Sequence, residues 1–199
     1  MRAKKLETAI RQEQIVQAAL DLIGRQGLKK LSVARLARQV GLVPSAIYRH
    51  YRSKDSIIDA ILDHVRCRLM TNVEKIYQET GDPLEQLQRL LFLHVRLIRE
   101  NRSLPGVIFS GEIYAGHPGR KRKVYETISA YLDQVAGIVQ KGKEQRIIRA
   151  EVNPSVVSVM FLGLIQPGAI LWHMSDGEFD VTRQTMKAWQ LFRDTIIMK

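Results

Sequence analysis

The chain has 199 residues, 31 Lys and Arg against 20 Asp and Glu, a formal net charge of +11, and 45% hydrophobic against 26% charged residues. That composition excludes a disordered or collagen-like chain and leaves one or two globular domains with a sizeable core. The single cysteine, Cys67, excludes an internal disulfide and a multi-thiolate metal centre, and the polar start after Met1 lacks a signal-peptide core, so a cytoplasmic protein is expected.

The charge is concentrated at one end. Residues 1–54 carry twelve Lys and Arg against Glu7, Glu13 and Asp21, a net +9, which leaves only +2 for the other 145 residues. A basic head on a near-neutral body is the footprint of a nucleic-acid reader, because each neutralised phosphate releases counterions. A solubilising basic face is the alternative that charge alone leaves open.

From Ile10, the apolar positions Ile15, Ala18, Ala19, Leu22 and Ile23 recur at i, i+3 and i+4, which predicts an amphipathic helix closed by Gly24 and Gly27. Ser32 then stands directly before Val33, Leu36, Ala37 and Val40, a capping hydroxyl ahead of a second, short helix. Gly41 ends it, and Pro44 suits the first position of a third helix, where Ile47 and Tyr51 share a face. Two short helices joined by a glycine-containing turn make a helix-turn-helix, here about 31–51, whose second helix enters the DNA major groove. Ala37 allows close helix approach and Gly41 permits the left-handed backbone of the turn.

The stretch Arg11 to Val65 carries "AALDLIGRQG", "LSVARLARQVGL" and "AIYRHYRSKDSIIDAIL" in order, and it closely resembles the amino-terminal domain of the TetR (tetracycline-repressor-like) transcriptional regulators. The resemblance implies an all-α dimer: a three-helix helix-turn-helix head at 8–68, and a helical effector-binding and dimerisation domain at 69–199. It also implies that Tyr48 touches the DNA backbone, that Arg49 and His50 approach the groove, and that Ser53 and Lys54 are the family's Ser-Lys pair at the start of helix 4. With Ser32, Arg35, Pro44, Ser45, Ala46 and Tyr51, these are the candidate contacts to double-stranded operator DNA. Ser53 is also a good N-cap in its own right, and Lys54 opposes the helix dipole unless a phosphate faces it. Val43 and Ser45-Ala46 depart from the family's frequent capping serine and Gly-Thr or Gly-Ser, so the cap of the third helix is not assigned. Ala46 can instead meet a thymine methyl.

Downstream, a long helix is predicted from Lys54 to about Gln78, and another from Asp82-Pro83 with Leu84, Leu87, Leu90, Leu91 and Val95. Asn101 to Pro105 break it, Val107 to Tyr114 form a short apolar segment, and Gly116-His117-Pro118-Gly119 breaks the chain before a helix of about Val124 to Lys141. The basic run Arg120-Lys121-Arg122-Lys123 reads as a solvated loop ahead of that helix, with contact to a phosphate-bearing effector or to DNA as the alternative. No strand alternation appears, so the fold class is all-α.

Residues 152–175 hold no formally charged side chain and are long enough for a bilayer span, with basic residues before and acidic ones after. Asn153, Ser155, Ser158, Gln166, Pro167 and His173 speak against a span. The resemblance implies instead a homodimer interface formed by about 153–175 and the amphipathic helix at 181–197, with no membrane. A dimer is also what a half-site reader requires.

No catalytic motif is present, and no histidine pair among His50, His64, His94, His117 and His173 has the spacing of a metal site, so neither enzyme activity, metal nor cofactor is expected. A small, mostly apolar effector is expected in the body, with candidate contacts Phe92, His94, Ile98, Phe109, Tyr114, Met160, Phe161 and Trp172. The reading is a homodimeric repressor released by that effector; a membrane-anchored protein and an effector-independent architectural DNA-binding protein are the alternatives.

Overall fold

The computed structural model describes residues 2–108 and 111–198, with side chains described from Thr8 onward. Among these residues the fold is all-α, with one isolated antiparallel bridge between Ile148 and Ile197. The helices are α1 (Arg2–Gln26), α2 (Val33–Gln39), α3 (Pro44–Tyr48), α4 (Lys54–Glu79), α5 (Pro83–Glu100), α6 (Leu104–Ile108), α7 (Gly111–Tyr114), α8 (Pro118–Glu144), α9 (Pro154–Gly163), α10 (Gln166–Met174) and α11 (Val181–Ile196). A 3-10 turn at Leu28–Lys30 follows α1.

The chain divides into two compact units. One comprises Met1–Val65 with Asn101–Lys123, and the other Arg66–Glu100 with Val124–Lys199. In the first unit the predicted stripe of α1 is buried at Ile15, Ala18, Ala19, Leu22 and Ile23, whereas Ile10 is exposed. The stripe packs with Leu36 and Ala37 of α2, Ile47 of α3, and Ile57, Ile58 and Ile61 of α4 as the buried core of that unit. Gly24 does not end α1. The helix runs on to Gln26, and Gly27, at φ 82°, ends it in the left-handed region that glycine enters without a Cβ clash. Gly24 serves close approach instead: a methyl added there would meet the Ser103 Cβ at 3.4 Å.

The second unit is built from Leu69, Val73 and Ile76 of α4, Leu87, Leu90, Leu91 and Val95 of α5, Tyr131, Val135 and Ile138 of α8, and the inward faces of α9, α10 and α11. Asp82 starts α5 by accepting from the Leu84 and Glu85 amides, and Asn153 starts α9 by accepting from those of Ser155 and Val156. Trp189 and Phe161 both pack against Phe192, at ring-centroid distances of 6.0 and 6.4 Å.

Two expectations about element boundaries are corrected. Helix α8 begins at Pro118, six residues earlier than the expected Val124, so the basic run at 120–123 is helical and not a solvated loop. Gly116, at φ 73°, makes the break, and Pro118 supplies the pre-set backbone of a first helical turn. The uncharged stretch is two helices, not one. It contains a window of mean hydropathy 1.7, and by length and composition it is apolar enough to cross a membrane. The backbone, however, breaks between α9 and α10 at Leu164 and Ile165. Phe161, Ile165, Ala169 and Trp172 lie in the core, while Val156, Val159, Met160, Ile170, Leu171 and Met174 are exposed.

Candidate nucleic-acid interface

The head is assembled by short-range chemistry. Ser32 Oγ accepts a hydrogen bond from the Arg35 amide at 3.3 Å, the N-cap its position predicts, and starts α2. Arg35 donates from Nη1 to Gln26 Oε1 at 2.6 Å. At the other end of α2 the Leu42 amide returns to the Ala37 carbonyl at 2.8 Å, and Gly41 takes φ 68°, so the chain reverses within one turn. Helix α3 then starts on Pro44 with no side-chain cap, since Val43 has no acceptor to offer. Its turn is continued by the His50 and Tyr51 amides, both bonded to the Ile47 carbonyl at 2.9 Å.

Ile47 is the buried residue of α3, and the neighbouring Ser45, Tyr48 and Arg49 are exposed, Tyr48 to 53%. A five-residue helix has no stability of its own, so this single anchor decides whether the polar face is presented. Arg25, Lys29, Lys30, Arg38, Arg49 and Arg52 add further exposed cations to the unit. An exposed tyrosine on a short helix after a tight turn, with Arg49 at its C-cap and Arg52 beyond it, can donate to phosphate oxygens and base edges.

Besides Ser32 and Arg35, three more of the predicted contacts have protein partners. The Tyr51 hydroxyl donates to the Gln12 carbonyl at 3.4 Å, which ties α3 to α1, and burial raises its pKa. Lys54 Nζ donates to the Leu28 carbonyl at 3.1 Å, so the cation that opposes the α4 dipole is stabilised by the turn after α1. Ser53 caps α4 reciprocally with Ser56: the Ser56 amide donates to Ser53 Oγ, and the Ser53 amide to Ser56 Oγ, each at 3.1 Å. His50 has its Nδ1 buried in the head.

Sequence reasoning missed a buried polar cluster of this unit. Arg120 is 4% exposed. Its Nε donates to Asp59 Oδ1 at 2.7 Å, its Nη2 to both Asp55 Oδ1 at 2.9 Å and the Asp55 carbonyl at 3.0 Å, and its Nη1 to the Ile113 carbonyl at 3.4 Å. His117 Nε2 stands 3.2 Å from Asp55 Oδ1, and Lys123 Nζ stands 2.6 Å from Asp63 Oδ1. The Arg120 bond holds the Asp55 carboxyl below the usual carboxylate range. Asp55, Asp59 and Asp63, four residues apart on one helix, were the signal available in the sequence.

Within the second unit the predicted effector contacts divide among two grooves, the core and the exposed surface. Phe92 lines a groove of about 420 Å³ with Val95, Arg96, Arg99, Glu100 and Thr182. Trp172 lines another of about 470 Å³ with Arg99 and residues 177–182. Ile98 and Phe161 are core, Met160 is exposed, Tyr114 belongs to the first unit, where its hydroxyl donates to the Ile108 carbonyl, and Phe109 lies outside the described residues. Among the described residues no group of His, Cys, Asp or Glu is gathered as a metal site.

His94 is buried edge-on against Tyr131, with Nδ1 3.2 Å from the hydroxyl, and burial pushes its pKa down to about 4. An unfolded histidine binds its proton near pH 6.5, so between pH 6.5 and 4 the unfolded chain takes up a proton that the folded chain refuses. Stability therefore falls with pH through that window, by about 3 kcal/mol at its lower end. Urea unfolding of the wild type and His94→Gln at pH 7.5 and 4.5 checks this, and the variant is expected to lose markedly less stability on acidification.

Residues 15–61 match the family model described as bacterial regulatory proteins, tetR family, and residues 65–195 match that of the YsiA-like protein, C-terminal region. The fatty acid metabolism regulator protein of Bacillus subtilis is 22% identical over 168 residues, 84% of this chain and 86% of that one. The nucleoid occlusion factor SlmA of Vibrio cholerae is 24% identical over 91% of this chain and 93% of its own length. The crystal structure of the regulator FadR from Bacillus subtilis in complex with stearoyl-CoA superposes with a TM-score of 0.76 at 20% identity, over 90% of this chain and 96% of that one.

Proposed function

The chain belongs to the tetR family of bacterial regulatory proteins and is a DNA-binding transcriptional regulator, not an enzyme; we propose that it is a cytoplasmic homodimeric repressor whose effector is a long-chain acyl thioester. The observation that carries the DNA-binding part is α3, held by Ile47 behind a glycine turn with Tyr48 and Arg49 outward. In this reading Ser32, Arg35, Pro44, Ser45, Ala46, Tyr48, Arg49 and His50 face the operator, while Tyr51, Ser53 and Lys54 hold the elements that present them.

Dimerisation through 153–175 and 181–197 is supported by the exposed apolar faces of α9, α10 and α11. Val156, Val159 and Met160 follow helical spacing on α9, Ile170, Leu171 and Met174 continue on α10, and Met186 and Leu191 lie on α11. A patch of that extent on a soluble chain marks an interface. The break at Leu164 and Ile165 and the core positions of Phe161 and Trp172 favour this over a membrane span.

The effector class is supported by the fatty acid regulator relative, by the stearoyl-CoA complex of the similar fold, and by grooves that set Arg96 and Arg99 beside Phe92, Val95 and Trp172. These walls offer an apolar chain a surface and an anionic head the Arg99 guanidinium, with Arg96 paired to Glu100 and with Glu178 and Asp180 at the second groove. Selection from random-sequence DNA is expected to return a two-fold symmetric site with half-site centres about 34–36 Å or a multiple apart, and stearoyl-CoA is expected to release the protein from it. The likeness to the Vibrio nucleoid occlusion factor favours a second reading, an effector-independent DNA-binding factor. Release by no acyl-CoA, together with many dispersed genomic sites, would establish that one instead.

A further inference from the structure

We propose that Arg120 is a positioning residue for operator binding, the centre of a latch in which His117, Arg120 and Lys123 of the 117–123 segment hold Asp55, Asp59 and Asp63 along the first three turns of α4. The inference rests on the DNA-binding reading above. Asp55, Asp59 and Asp63 recur every four residues and so share one face of α4, while residues 117, 120 and 123 recur every three. The pairs form in register: His117 and Arg120 on Asp55, Arg120 on Asp59, Lys123 on Asp63.

The exposed pairs at the two ends contribute little by themselves. The middle one differs, because the guanidinium is buried and four of its hydrogen bonds are made inside the unit. Burying an arginine is a poor way to gain stability compared with an apolar side chain, but a forked cation with all its partners fixed sets orientation. One of those partners is the backbone carbonyl of Asp55, so the latch holds the α4 backbone itself in its first turn.

That turn is the one that matters to the head. Residue 54 next to it reaches back to the Leu28 carbonyl, Ser53 caps the helix, and only Arg52 separates Ser53 from Tyr51, whose hydroxyl bonds to α1. The start of α4 is thus gripped from α1 and its following turn on one side and from Arg120 on the other. Loosening Arg120 leaves the phosphate-facing residues in place chemically and misaligns them geometrically.

The test uses the full-length chain and a selected operator duplex, with affinity measured across a range of salt. Arg120→Gln and Asp59→Asn are each expected to weaken binding about tenfold or more, with far-UV circular dichroism unchanged and the slope of log affinity against log salt equal to the wild type's. Arg120→Lys, which keeps the charge without the fork, is expected to recover part of the loss. Wild-type affinity in folded Arg120→Gln would overturn the proposal. A slope shallower by about two, one phosphate for each protomer of the dimer, would overturn it too, since Arg120 would then neutralise a phosphate itself. Should Arg120→Gln fail to fold, Asp59→Asn at its half-exposed carboxylate decides the same question. A wild type without salt-dependent binding removes the DNA-binding reading and the latch together, whereas equal binding by wild type and variants removes the latch alone.

Discussion

A chain carrying both Val159→Glu and Leu191→Glu is expected to sediment as a 22.8 kDa monomer, where the wild type runs at about twice that mass, and to lose operator affinity by a factor of about 10²–10⁴. Val159 is 60% and Leu191 73% exposed, so glutamates there disturb no core. In a two-fold interface, however, each substitution occurs twice and places unpaired carboxylates in an apolar contact. The large effect on DNA follows from chelation: in a dimer the second head binds at a high effective concentration once the first is seated. A monomer keeps the half-site contacts and loses that factor. Analytical ultracentrifugation and fluorescence anisotropy on the same samples check both halves. Monomers that bind the full site as tightly as wild type would refute the dimer reading.

Ile47→Ala should remove operator binding while leaving most of the helix signal intact. Ile47 is fully buried and anchors a five-residue helix, so truncating it costs about 2–5 kcal/mol locally. At about 1.4 kcal/mol per factor of ten, binding falls at least about thirtyfold. Tyr48→Phe is the contrast. Its hydroxyl lies on an exposed ring, so the substitution is expected to leave thermal stability unchanged and to weaken DNA binding by a smaller factor. Thermal unfolding and anisotropy on the two variants separate the anchor from the contact.

The sequence was most informative where the physics is local. Ser32 caps α2, Gly41 turns the chain, Asp82 starts α5, and each acts within four residues of its own position. The family resemblance over residues 11–65 lies in the same locally determined stretch. Boundaries set by partners far along the chain were not readable in this way. The early start of α8 goes with Arg120 binding residues more than sixty positions away, and a charge run gives no hint of its partner's address. The bond of Lys54 to the Leu28 carbonyl, twenty-six positions away, was likewise not readable. The split between α9 and α10 had a local signal, Pro167 in the first turn of α10, which the absence of charge along the whole stretch masked.

The effector contacts were the least readable part because aromatic and methionine residues at helical spacing serve core and pocket alike. Phe161 and Ile98 prove to be core, and the grooves are instead marked by Arg96 and Arg99, charged residues on the outer side of a helix chosen for its apolar face.

The central claim is that the net +9 of residues 1–54 serves a helix-turn-helix reader of duplex DNA. The most direct measurement is the affinity of the wild-type protein for its selected site from about 50 to 200 mM salt. With several phosphates neutralised by each of two heads, a log-log slope of roughly −5 or steeper is expected, together with a far weaker affinity for unrelated duplexes. A slope near zero, or equal affinity for every sequence, would contradict it.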